Sequence, residues 1–340
     1  MDPGRARKKE EGMNSLMTGT TAPQGERAQG KAGVCAICGD SGAVPFLEAP
    51  DRYHGRQTRY QLLRCPTCSL VWLNNPPTPQ EMGIHYGPDY DRSVAAAGED
   101  PNRWRGRLEE LAKYKSGGTI LDLGCSAGGF LSGLDETAWS CCGIEMSEEV
   151  ASKARARTRA NVFVGDILDA PFPPASFDAI TCFHVMEHLY QPHEIFQKVY
   201  NWLKPGGIFY LMVPNIHSAG CRIFGTYWYA LELPRHLFHF SPKALRSLAS
   251  SVGLEEASVT TDREVFIESS TRYILDEKLA KLGIRRAPLA KAARPGLPFR
   301  VVRKAFRLTA LPVLDGLASL AGDGESIHAI FRKGAAIKQD

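Results

Sequence analysis

The sequence contains no run of about 18 apolar residues, which argues against an ordinary membrane-spanning helix. It shows no internal repeat, and neither sign of charge dominates, with 41 Lys and Arg against 37 Asp and Glu. With 44% hydrophobic and 23% charged residues, the chain as a whole is not disordered, collagen-like or coiled-coil. Arg5, Arg7, Lys8 and Lys9 have no apolar stretch behind them, so they do not read as a secretory signal. Without such a signal, the nine cysteines are expected to be reduced thiols or metal ligands rather than disulfides. A length of 340 residues suggests one large domain with a smaller companion, and the expected setting is cytoplasmic.

Residues 1–30 are rich in Gly, Ala, Arg, Lys and Glu and hold few large apolar groups, so they read as a disordered tail. A cysteine-bearing segment follows at 31–78, then a linker with helical lead-in at 79–117. From residue 118 to 334, short apolar strands alternate with helical stretches, as in βαβ units. The expected strands are Thr119–Gly124, Ser140–Glu145, Val162–Gly165, Phe177–Phe183, Gly207–Val213, Glu256–Thr260 and a closing Ile327–Arg332. Helices are expected near 128–137, 147–159, 192–203 and 242–252, with insertions at 216–240 and 262–325. The fold class is therefore α/β, a Rossmann-like, mostly parallel sheet with a small zinc-ribbon-like module in front.

Cys35 and Cys38 form one C-x2-C pair, and Cys65 and Cys68 form a second, with 26 residues between them. Two such knuckles can put four thiolates around one tetrahedral zinc ion. Four thiolates leave no open coordination position, so this Zn2+ is expected to be structural. The segment is too small for a core of its own, and the ion would supply folding energy.

The stretch Ile120-Leu-Asp-Leu-Gly-Cys-Ser-Ala-Gly-Gly-Phe130 is a strand running into a glycine-rich turn. Gly124 and Gly128 would let the backbone approach a ligand at the carboxyl end of a sheet. Ser126 stands where G-x-G-x-x-G needs its second glycine, so the stretch is not the dinucleotide fingerprint. Asp122 would repel a pyrophosphate but suits a cation, and S-adenosylmethionine is such a ligand. Glu145, 23 residues on, ends the second strand and can accept from both ribose hydroxyls, while Asp166 after the third could accept from an adenine amino group.

Residues 118–261 resemble class I S-adenosylmethionine-dependent methyltransferases. The resemblance rests on Leu121-Asp-Leu-Gly-Cys-Ser-Ala-Gly128, Glu145, Gly165-Asp166, Phe177-Asp-Ala-Ile180, His184-Val-Met-Glu-His188 and Leu203-Lys-Pro-Gly-Gly207. It implies a seven-stranded sheet with an antiparallel last strand and adds Cys125, Met146, Ile167, Phe183 and His184 to the cofactor-binding candidates. The four-cysteine module followed by Tyr86 to Tyr90 resembles bacterial methyltransferases acting on sugars, lipids or secondary metabolites. Nucleotide-sugar C-methyltransferases also carry an N-terminal zinc module.

The acceptor is expected beyond the carboxyl ends of the fourth and fifth strands, near His184, Glu187, His188, Asn215 and His217. Trp228 to Phe240 add aromatics together with Arg235, His236 and His239. Histidine titrates near neutrality, so His236, then His184 and His217, are the candidate proton acceptors. Residues 271–310 hold eleven basic residues against two acids. Arg300, Arg303, Lys304 and Arg307 share one helical face, which makes 299–320 a candidate for membrane or lipid contact, against the simpler reading of a surface helix packed on the core. The leading expectation is an enzyme of class EC 2.1.1.-, methylating a small-molecule acceptor such as a sugar, quinone-type phenol, lipid-linked intermediate or secondary metabolite. The alternatives are an RNA methyltransferase with a zinc module, nucleic acid being the less favoured partner, and a non-catalytic zinc-ribbon interaction protein on a degenerate fold.

Overall fold

The computed structural model of the chain describes residues 33–86, 102–262, 266–284, 287 and 324–335. The front of the molecule is an antiparallel set, β1 (Val44–Pro50), β2 (Arg59–Arg64) and β3 (Val71–Leu73). A short helix α1 (Pro79–Met82) follows, started by a Thr78–Glu81 capping box that satisfies two backbone donors reciprocally. Helix α2 (Asn102–Ala112) leads into the main sheet.

That sheet is built from β4 (Gly118–Leu123), β5 (Trp139–Glu145), β6 (Asn161–Val164), β7 (Phe177–Phe183) and β8 (Leu203–Pro214), then β10 (Leu254–Asp262) and β11 (Ser326–Lys333). Its strand order is β10-β11-β8-β7-β4-β5-β6. Only β11 runs against its neighbours, with β10 on one side and β8 on the other, as the expected closing strand does. Positions 207–214 of β8 are all buried, as a strand covered on both faces requires. The helices between strands are α3 (Glu148–Arg157), α4 (Pro192–Trp202), α5 (Ala219–Phe224), α6 (Pro242–Ser251) and α7 (Ile267–Lys281). Ser147 and Ser241 cap α3 and α6, and Pro242 takes the first position of α6, where its missing N–H costs nothing.

One expected helix is absent. Residues 128–137 form only a single 3-10 turn, Leu131–Gly133. Gly128 sits at φ +74°, in the left-handed region, and a glycine inside a helix costs about 1 kcal/mol relative to alanine. Phe130 is instead buried edge-on against Trp104 and Phe183. The basic segment 299–320 lies outside the described residues. No helix among the described residues is long and apolar enough to cross a membrane.

The front strands are completed from far along the chain. A two-residue strand β9 (Phe238–His239), from the 216–240 insertion, pairs with β3 through Val71↔His239 and Trp72↔Phe238. Cys35, Leu62 and Trp72 consequently share one buried cluster with Leu121, Ile180 and Phe209 of the main sheet. Leu62→Ala should therefore cost about 2–5 kcal/mol and lower one common unfolding transition. Circular dichroism and tryptophan fluorescence should report the same midpoint, and a separate early transition of the front strands would contradict the shared core.

Candidate functional site

Strand order reverses between β4 and β7, and crevices at such points receive ligands in open α/β sheets. Around it, at the carboxyl edge, lie the Gly124–Gly128 turn after β4, Glu145 ending β5, Asp166 after β6, His184 after β7 and Asn215 after β8. The turn needs its glycines. At Gly124, φ +70°, a Cβ would come within 2.5 Å of the Val185 side chain, so the close approach of the two loops depends on its absence. Gly143 plays the same part behind the turn, where a Cβ would lie 2.5 Å from Cys125 Sγ.

Asp122 is 4% exposed, and Thr181 Oγ1 on β7 donates to its Oδ1 at 2.7 Å. Burial, with Thr181 opposing it and the Glu145 charge reinforcing it, raises the Asp122 carboxyl to a pKa of about 7. Glu145 accepts from the Ser126 N–H and the Ser147 N–H, each at 3.0 Å, and so ties the glycine turn to the end of β5. Asp166 caps its own 3-10 turn, accepting from Leu168 N–H at 2.7 Å. Ile167 and Cys125 are buried behind the acids, whereas Met146 is 64% exposed at the rim. Phe183 packs edge-on against Phe130 and Tyr210, facing the α2 side.

The two cysteine pairs fold into matching knuckles. Gly39 N–H donates to Cys35 O, and Cys35 N–H to Asp40 O; Ser69 N–H donates to Cys65 O, and Cys65 N–H to Leu70 O. Gly39 at φ 72° and Ser69 at φ 66° take the left-handed conformation at equivalent places. Cys35 Sγ lies 3.4 Å from Cys68 Sγ, Cys38 Sγ lies 3.5 Å from Cys65 Sγ, and all four sulfurs fall within 4.8 Å of one another. A tetrahedral ion at the usual zinc–sulfur distance sets sulfurs about 3.8 Å apart, so the donor set fits such an ion. In the Cys35–Cys68 contact the shared hydrogen bond lowers the Cys35 thiol and raises that of Cys68, so one proton stays between the two sulfurs.

The histidines of the insertion are not at the surface. His236 is 5% exposed; its Nδ1–H donates to Ala230 O at 2.9 Å, and its Nε2 stands 3.7 Å from Glu232. Burial lowers its pKa to about 3, and that of His239 likewise. An imidazole so weakly basic is poorly matched to proton abstraction near neutrality. His184 differs: it takes φ 57°, keeps a quarter of its side chain exposed and places Nδ1 3.5 Å from Glu187 Oε1. His217 is exposed on the loop after β8, with its N–H bonded to Asn215 Oδ1.

Sequence reading did not single out Thr181, Glu232, Tyr53 or the fully buried Asp51. Asp51 accepts from His54 N–H and His54 Nδ1 at 3.0 Å and faces His85 Nδ1 at 3.5 Å. Its partners come from a hairpin and a later turn with no recognisable spacing, so only the fold reveals them.

Asp122 generates a pH prediction. An acid whose native pKa is raised from 3.8 to about 7 holds a proton that the unfolded chain releases, so stability falls as pH rises from about 4 to 7. Each unit is worth about 1.4 kcal/mol at most. Asp122→Asn should flatten this slope, and urea midpoints measured between pH 4 and 8 in ligand-free protein should show it. Equal slopes in the two proteins would contradict the assignment.

Comparison with known proteins agrees with this geometry. Residues 96–259 match a family described as "Methyltransferase domain". A probable S-adenosylmethionine-dependent methyltransferase of Mycolicibacterium smegmatis is 29% identical over 130 residues, covering 37% of this chain and 50% of that protein. A 24-methylenesterol C-methyltransferase 2 of Oryza sativa is 31% identical over 111 residues, covering 30% and 31%. A ubiquinone biosynthesis O-methyltransferase of Xanthomonas campestris is 28% identical over 132 residues, covering 36% and 55%. The chain thus spans about half, or less, of the length of these relatives. Sheet order gives the described residues a Rossmann-like fold, and the family match shows that residues 96–259 are similar to methyltransferase domains.

Proposed function

We propose that the protein transfers a methyl group from S-adenosylmethionine to a small-molecule acceptor and that the four-cysteine module holds one structural zinc ion. The observation that carries the reading is the buried Asp122. Among the described residues it meets a hydroxyl and the like charge of Glu145, an environment that a cation would relieve. Bound S-adenosylmethionine would supply that cation and an electrophilic methyl group. Asp122 would then ionise to balance the ligand's charge, Glu145 would accept from the ribose, and Asp166 would accept from the base. His184 is placed to take the acceptor's proton, with the Glu187 carboxylate 3.5 Å away to orient and stabilise its charged form. The relatives named for a sterol and for ubiquinone biosynthesis support a small acceptor over RNA.

Calorimetric titration of the purified chain with S-adenosylmethionine and S-adenosylhomocysteine tests the cofactor. Binding in the micromolar range is expected, with Asp122→Ala lowering affinity at least tenfold, whereas unchanged affinity would remove the role assigned to Asp122. Metal analysis of the same sample should give zinc at the cysteine module, and Cys65→Ser should lose it and lower the unfolding temperature. Full zinc retention in that variant would contradict a four-thiolate site.

A further inference from the structure

Glu187, His188 and His236 bring one ligand atom each within 4.8 Å of one another, on two segments 48 residues apart in sequence. Glu187 is 1% exposed, and both of its carboxylate oxygens are buried without a hydrogen-bond partner. The His184 ring nitrogen Nδ1 stands 3.5 Å from Oε1. A buried carboxylate left in this condition is costly unless a proton or a cation joins it.

The two imidazoles are oriented as ligands are. His236 donates Nδ1–H to Ala230 O at 2.9 Å, and His188 donates Nδ1–H to Arg235 O at 3.1 Å, with Tyr86 Oη also 3.0 Å from that nitrogen. Backbone carbonyls only accept, so both rings carry their proton on Nδ1 and a lone pair on Nε2. Metal-binding histidines are held in this way by a second hydrogen bond that sets tautomer and ring direction. The rings stand edge to face with centroids 4.6 Å apart. Arg235, the cation nearest in sequence, is engaged by Glu232.

We propose that Glu187, His188 and His236 form a second metal site, distinct from the cysteine module, that takes a divalent first-row transition metal ion. Two imidazole nitrogens and one carboxylate favour such an ion over Mg2+ or Ca2+, which prefer all-oxygen sets. Three protein ligands leave coordination positions open, and His188 is only partly buried, so an acceptor oxygen could reach the ion. That last role rests on the methyl-transfer reading above; the ion itself does not.

The test is a cobalt(II) titration of the full chain without S-adenosylmethionine, followed by absorption spectroscopy and calorimetry. Cobalt at the cysteine module gives intense thiolate-to-metal charge-transfer bands, whereas cobalt on nitrogen and oxygen gives only weak visible bands. The expected result is one ion of the second kind, undisturbed by millimolar Mg2+. Losing a direct ligand should exceed the 10–100-fold penalty for losing an outer partner. Glu187→Gln and His236→Gln, each checked for native near-ultraviolet dichroism, should therefore weaken this ion by about 100-fold or more while the metal content of the cysteine module is unchanged. A wild-type chain that binds cobalt only through thiolates overturns the proposal whether or not S-adenosylmethionine binds. So does displacement by Mg2+, or unchanged affinity in folded variants.

Discussion

The backbone of Leu237 is the joint on which the arrangement depends. Its carbonyl accepts from Leu73 N–H of the front strands at 2.8 Å, and its own N–H donates to Glu187 O at 2.7 Å. One residue thus ties the cysteine module, the insertion and the loop after β7 into a single hydrogen-bonded unit. The β3–β9 pairing extends that joint by two residues, and Asn215↔Phe240 continues it onto the end of β8. Because Leu237 is adjacent to His236, fixing its backbone also fixes where the imidazole can reach.

Two kinds of unmet charge sit at the carboxyl edge of the sheet. On the β4–β5 side, Asp122 and Glu145 concentrate negative charge around a glycine turn, and burial makes ionisation of Asp122 unfavourable until a cation arrives. Beyond β7, Glu187 and neutral imidazoles bring acceptors together with few donors to meet them. His239 repeats the pattern, with Nε2 held by Leu231 O and Nδ1 buried and unpaired. The two groups differ in chemistry. The first is all oxygen and suits an organic cation; the second offers nitrogen and oxygen lone pairs to a small, hard-to-borderline ion.

The strands and their carboxyl-end acids were legible in the sequence because both depend on local pattern. Apolar runs such as Ile208 to Val213 can be satisfied only by burial, and Asp122 inside the end of β4, Glu145 closing β5 and Asp166 after β6 stand at fixed places on their strands. The cysteine knuckles were legible for the same reason, since a C-x2-C turn closes its own hydrogen bonds. The stretch 128–137, expected to be helical, forms only a 3-10 turn because Gly128 takes the left-handed conformation at its start.

What tertiary structure alone decided is which distant segments meet. Nothing in Val71 to Leu73 announces that its fourth-strand partner lies more than 160 residues later, at Phe238 and His239. His236, by sequence a neutral-pH base on an aromatic loop, became a buried imidazole of low basicity once that pairing placed it beneath Glu232 and beside His188. Local propensity and spacing act over a few residues and can be read directly. Burial, tautomer and pKa are set by neighbours that the chain brings together only when it folds, and for these histidines the neighbours decided the chemistry.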